Sequence, residues 1–223
     1  MVDPSDPDYA ETKLVKHGER VLTPLFKELA DWIAGAYPGV AVLNIYYDKV
    51  ASTAKLVLPR LDVIFEWEDE KKLFCVDYGN FDPLKQAAIA TKFKELLKHH
   101  REQSLDTNRL LVVFSAFEPV ARLEAIWRVQ PDQLAQLQSK MNNPAIWQIR
   151  GDFGGIGVFF YTDAQLKSLQ GALKAECSDA YAEIISMYDE FGYFQRKPAQ
   201  VTFDSKENFD KNYHGNWFYY DRR

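Results

Sequence analysis

The residues whose type and spacing suggest chemistry are two aspartates, Asp62 and Asp77, within PRLDVIFEWEDEKKLFCVDYGNFDPLKQAAIATKF (residues 59–93). Leu61, Val63, Phe65 and Trp67 alternate with Arg60, Asp62, Ile64 and Glu66, the period-two pattern of a half-buried strand. Residues 68–71 read as a polar reversal, and 73–78 resume as a second strand rich in β-forming residues. A symmetric hairpin places Asp62 opposite Asp77 and Ile64 opposite Cys75. Like charges facing each other across a ladder repel. Such a pair calls for a bound cation, a shared proton or a basic neighbour. The alternative is two aspartates on a solvated sheet face, paired with Arg60 or Lys72. A slip of one residue would send one acid to the other face.

The elements that must position this pair follow from periodicity. Residues 1–9, with Pro4 and Pro7 among acids, read as a flexible acidic leader. Thr23-Pro24 has the form of an N-cap followed by a first-turn proline, and Leu22, Leu25, Phe26, Leu29 and Ile33 make one buried helical stripe. A strand is expected over 40–47, and a shorter one over 55–58 leads across Pro59 into the hairpin. The helix from Leu84 to His100 turns Ile89, Ala90, Phe93, Leu96 and Leu97 inward. Gln86 falls on the same side, where a polar amide must find a partner, the hairpin being the expected one. Residues 109–114 then read as a strand buried on both faces.

Beyond residue 117, the similar segments 125–129 (AIWRV) and 145–149 (AIWQI) are both expected as strands, with a helical alternative for the first; a helical run, 132–141, separates them. Two such segments do not make a repeat architecture. Thr162 or Asp163 caps a long helix with a break expected at Ser178-Asp179. The C-terminal aromatics Tyr213 and 217–220 read as an end strand docked on the body. The fold class expected is α+β: an antiparallel β-meander with flanking helices in a core of residues 20–115, elaborated by an α/β segment over 117–223. The whole is expected as one domain.

Several chemistries lose support. The glycine-rich run 151–157 lacks the spacing of a dinucleotide fingerprint and the Gly-Lys-Ser/Thr of a P-loop, and reads as a hairpin turn. His99 and His100 are adjacent on a helix, project about 100° apart, and suit the last-turn dipole better than a metal. No Gly-x-Ser-x-Gly, His-Glu-x-x-His or zinc-spaced cysteine pair is present. Cys75 and Cys177 read as small buried thiols of a reduced compartment. The net charge of −5 argues against non-specific nucleic-acid binding as the main role. With no signal-like leader and no apolar run of bilayer length, a soluble, cytoplasmic protein is expected.

The order helix, three strands, helix, strand over residues 20–115 resembles the core of the PD-(D/E)xK nuclease superfamily, in its exonuclease-type branch. Arg60-Leu61-Asp62, then Val76-Asp77-Tyr78-Gly79, then Gln86 fall where that branch carries its motifs. The resemblance implies Asp62 and Asp77 as ligands of a divalent metal such as Mg²⁺, with Gln86 in support. It also implies a catalytic lysine where this chain has Gly79; Lys85 on the following helix is the residue placed to substitute for it.

Two functions follow. The first is a non-catalytic binding or regulatory protein on a degenerate nuclease-like scaffold, recognising a protein partner, with a basic one favoured by the acidic net charge. The second is a metal-dependent phosphodiesterase or nuclease using Asp62, Asp77 and Lys85, with nucleic acid as substrate.

Overall fold

The computed structural model describes residues 1–53, 56–77 and 79–222. Lys55, at the start of the short expected strand, and Tyr78, in the motif around Asp77, lie outside the described residues. The fold is α+β, and the chain divides into two compact units, Met1–Val120 and Ala121–Arg223.

The first unit begins with α1 (Pro7–Lys16), led by a proline in its first turn. Asp8 and Tyr9 are 1% and 2% exposed, so residues 7–9 belong to the body and not to a loose leader. Thr12 is fully buried beside them; Tyr9 stacks on Phe117 with ring centroids 5.2 Å apart. Next is α2 (Pro24–Ala36), where the Thr23 side chain accepts from the Phe26 amide as the Thr-Pro signature anticipates. Leu25, Leu29 and Ile33 are buried, with Leu22 and Phe26 packed against the same core.

The central strands depart from the expected meander. The strands β1 (Val42–Thr53) and β2 (Leu56–Phe65) pair antiparallel, with Tyr46 opposite Asp62. Residues 68–72, expected as a reversal, form α3 (Glu68–Lys72). Glu70 accepts from the Trp67 amide at 3.1 Å and from the Ala41 amide at 2.9 Å, so one side chain caps the helix and ties it to the start of the sheet. The short strand β3 (Cys75–Asp77) pairs with β4 (Asn80–Phe81) as a separate ribbon. Asp77 therefore faces Asn80, and the Asp62–Asp77 pairing does not occur.

After the ribbon comes α4 (Pro83–His99), capped by the Asp82 side chain. The third strand of the main sheet is β5 (Leu111–Ala116), which runs parallel to β2 with Val113 beside Asp62. This makes β2 the central strand. Leu61, Asp62, Val63, Ile64 and Phe65 are all fully buried, so both faces of β2 are covered and its alternation does not divide core from solvent. The division between the units falls within α5 (Phe117–Arg128), which makes residues 125–128 helical rather than a strand.

The second unit continues with α6 (Pro131–Met141), β6 (Ile146–Asp152) and β7 (Gly155–Phe160). The glycine-rich run is the β6–β7 hairpin turn. The long helix α7 (Asp163–Ser186) is capped by Thr162 and passes through Ser178-Asp179 unbroken. A short α8 (Tyr193–Arg196) leads to β8 (Gln200–Ser205), parallel to β7. Then follow α9 (Lys206–Tyr213) and α10 (Trp217–Tyr220). The terminal aromatics dock as expected, though as a helical turn: Trp217 stacks on Phe209 at 4.1 Å and Tyr220 is buried.

Taken separately, the two units share one plan. Each has an antiparallel strand pair, a helix, and a third strand parallel to the second, in strand orders β1-β2-β5 and β6-β7-β8. In each, the third strand passes straight into a helix.

Candidate functional site

In the first unit, a groove of about 710 Å³ is lined by α3 and the β3–β4 ribbon, by Val113, Phe114 and Ser115 of β5, and by Met1, Val2 and Arg60. Asp77 and Gly79 line it. Asp62, Lys85 and Gln86 do not.

Asp62 lies beneath this surface, fully buried. Its Oδ2 accepts from the Ser115 hydroxyl at 2.8 Å and from the Met1 ammonium at 3.1 Å. Parallel pairing of β2 and β5 sets Asp62 beside Val113 and brings Ser115 within reach. Burial raises the Asp62 pKa above the usual carboxylate value, against the opposing pull of the Met1 ammonium and the Ser115 hydroxyl. The same ammonium sits 2.8 Å from Asp8 Oδ2. Burial lowers the affinity of that amine for its proton, but Asp62 and Asp8 outweigh it and its pKa ends above the usual value. Arg60 completes the cluster, with a two-pronged contact to Asp48 at 2.8 and 2.7 Å and a third to Asp8 at 3.3 Å. Asn44, also buried, donates to the Thr12 hydroxyl at 3.0 Å.

The other sequence candidates do different work. Asp77 is exposed on the ribbon, and its Oδ1 accepts from the Asn80 side-chain Nδ2 at 2.6 Å. Lys85 donates its ammonium to the Leu73 carbonyl and lies over the Phe74 ring at 5.3 Å, with Asp82 at 3.7 Å. Gln86 donates from Nε2 to the Val112 carbonyl at 2.5 Å, so its partner is β5 and not the hairpin. Gly79 has φ +92°, a left-handed backbone that disfavours any residue with a Cβ. At the end of α4, the His100 ring meets Glu28 at 2.8 Å, a surface contact and no metal ligand pair.

The Met1 ammonium, Asp8 and Ser115, which meet Asp62 or its partner directly, are among the groups of this cluster that sequence reading missed, as are Asp48, Asn44 and Thr12 around them. A signal was present: with Pro7 at the first turn, Asp8 and Thr12 share one helical face and Tyr9 adjoins it. The acids that lie together are therefore Asp8 and Asp62, from α1 and β2. Among the described residues, no three or more His, Cys, Asp or Glu side chains gather so as to hold a metal ion. No helix among them is long and apolar enough to cross a membrane.

No protein-family model, curated protein or solved structure matches the chain.

Proposed function

We propose that this chain is a non-catalytic binding or regulatory protein that recognises a protein partner through the groove beside α3 and the β3–β4 ribbon. The observation that carries the reading is the separate commitment of the four residues a nuclease site would use. Asp62 is enclosed and holds an ammonium and a hydroxyl; Asp77 stands on another sheet, bonded to Asn80. Lys85 and Gln86 are spent on backbone carbonyls. The groove itself has the composition of a contact surface, with Val76 61% exposed in its lining, Leu73 53% exposed beside α3, and charges of both signs around them. The net charge of −5 favours encounter with a basic partner through long-range steering.

The test has two arms. Single- and double-stranded DNA and RNA should remain intact with Mg²⁺ or Mn²⁺. A protein partner isolated on the wild-type chain should be lost with Val76→Asp, which charges the groove without touching the buried cluster.

A second reading draws on Arg60, Lys71 and Lys72, which line the same groove as Asp77 and would suit a phosphate-bearing substrate. It is a metal-dependent phosphodiesterase using Asp62, Asp77 and Lys85. Metal-dependent cleavage abolished by Asp77→Asn would favour it and sink the first.

A further inference from the structure

Two buried carboxylate clusters occur among the described residues, and they differ in how well they are satisfied. In the second unit, Asp204 accepts from the Ser205 amide and the Asn208 side chain, and from the Tyr220 hydroxyl at 2.6 Å, so both oxygens are bonded. In the first unit, Asp8 Oδ1 and Asp62 Oδ1 are buried with no hydrogen-bond partner, on side chains 1% and 0% exposed. Buried carboxylate oxygens ordinarily find donors, and each one left without carries the full cost of its lost hydration. These two acids already hold a cation. Asp8 Oδ2, Asp62 Oδ2 and Ser115 Oγ converge on the Met1 nitrogen at 2.8, 3.1 and 3.3 Å.

We propose that Asp8, Asp62 and Ser115 form a seat for a hard divalent cation of the Mg²⁺ or Mn²⁺ type, for which the Met1 ammonium is a competitor.

Charge balance supports this. Two enclosed carboxylates face one ammonium, and Arg60 reaches Asp8 with one contact while giving its two shortest to Asp48. One negative charge is left without full compensation in a buried site, a costly arrangement. A dication balances both acids. The donor set is all oxygen, two carboxylates and a hydroxyl, as Mg²⁺ and Mn²⁺ require. Their metal–oxygen distances of about 2.0–2.2 Å need the three oxygens to close in by roughly 1 Å on the position the nitrogen holds. The oxygens without donors are available for bidentate contact or for hydrogen bonds from metal-bound water. Among the described residues no lysine joins this cluster, so the cation would pin α1 to β2 and β5 without supplying hydrolysis. The proposal is independent of what the groove binds.

The experiment uses the full chain in two forms, one with a free amine at Met1 and one acetylated there. Mn²⁺ binding is followed by the loss of the free-ion electron paramagnetic resonance signal. The acetylated form is expected to bind one Mn²⁺ at least tenfold more tightly than the free-amine form. Asp8→Asn and Asp62→Asn should each abolish binding, and Ser115→Ala, which keeps both acids, should weaken it several-fold. Asp77→Asn should leave it unchanged. Absence of stoichiometric Mn²⁺ binding by the folded acetylated chain overturns the proposal. Binding lost with Asp77→Asn and kept with Asp8→Asn overturns it too, because that result moves the ion to the ribbon.

Discussion

Gln86 closes the edge of β5: its Nε2 donates to the Val112 carbonyl at 2.5 Å, tying the first turns of α4 to the outer strand of the sheet. The amide is on the apolar side of its helix because an edge carbonyl there has no ladder partner. Gln86→Leu keeps the bulk and removes the donor, leaving a buried acceptor without its bond. The expected loss is about 1–3 kcal/mol, read from the urea midpoint with an unchanged slope. A variant as stable as the wild type would show that water serves the carbonyl equally well.

Asp62 and Asp77 should respond very differently to truncation. Asp62→Ala leaves the buried Met1 ammonium with Asp8 and the Ser115 hydroxyl, and breaking a buried ion pair from one side costs about 3–5 kcal/mol. Asp77→Ala removes an exposed carboxylate bonded to the side-chain amide of the neighbouring Asn80, and should stay within about 0.5 kcal/mol of the wild type. Chemical denaturation of the two variants decides the matter. Equal losses would contradict the separate environments of these acids.

The pH dependence follows from the same cluster. The Met1 amine has its folded pKa raised above 8.0. Its contribution to stability is therefore fully present below pH 8 and is lost as the pH rises through the folded value. Asp62 is a carboxyl with a raised folded pKa, so the folded state binds its proton more tightly than the unfolded state does. Its contribution is fully present below pH 3.8 and declines as the pH rises through the folded pKa. Unfolding free energies at pH 7, 9 and 10 should fall more steeply for the free-amine chain than for the acetylated one. Parallel profiles would mean that the ammonium is not held as described.

Much of this fold can be read locally. Thr23-Pro24 announces α2, Thr162 announces α7, and the terminal aromatics dock, because caps and apolar stripes are short-range signals. The failure at 68–72 is also physical. A run of charges resembles a turn, yet Glu68–Lys71 and Asp69–Lys72 pair at helical spacing, and Glu70 caps the turn they make. The position of Asp62 could not be inferred from alternation, because β2 is covered on both faces by partners distant in sequence. One of them, β5, pairs in parallel only after the whole of α4 has intervened. With the ribbon split off, the expected pairing of Asp62 with Asp77 had no ladder to carry it. The acid that does meet Asp62 comes from residues 1–9, where proline and acidic composition concealed the start of a helix.

The second unit offers a sharper steric test at Gly155, in β7 opposite Gln200. A Cβ built there would lie 2.2 Å from the Gln200 carbonyl oxygen and 2.9 Å from its nitrogen, both backbone atoms of the paired strand. Neither can swing aside as a side-chain tip would. Gly155→Ala should force the β7–β8 ladder apart at its first pair, at a cost of about 3 kcal/mol. Gly171→Ala, on the exposed part of α7 with open space at its Cβ, should instead be neutral or stabilising by about 0.5–1 kcal/mol. Thermal melts of the two variants should therefore move in opposite directions or differ by several degrees.

Gly79→Lys places a lysine beside Asp77, the residue type that the nuclease reading asks for at this position, and its outcome bears on both structure and function. The backbone at Gly79 has φ +92°, while its Cβ position meets no atom within 4 Å. The cost is therefore conformational, about 1–2 kcal/mol for placing a side chain in a left-handed backbone, with no packing clash to add. A lysine there would still join Asp77 on the ribbon, not Asp62, which is enclosed behind Ser115 and the Met1 ammonium. The variant should fold with slightly reduced stability and show no cleavage of single- or double-stranded nucleic acid with Mg²⁺ or Mn²⁺. Cleavage gained on this single change, and lost again when Asp77→Asn is added, would mean that the ribbon can close onto Asp62, and the binding-protein reading would give way to a nuclease disabled at one residue.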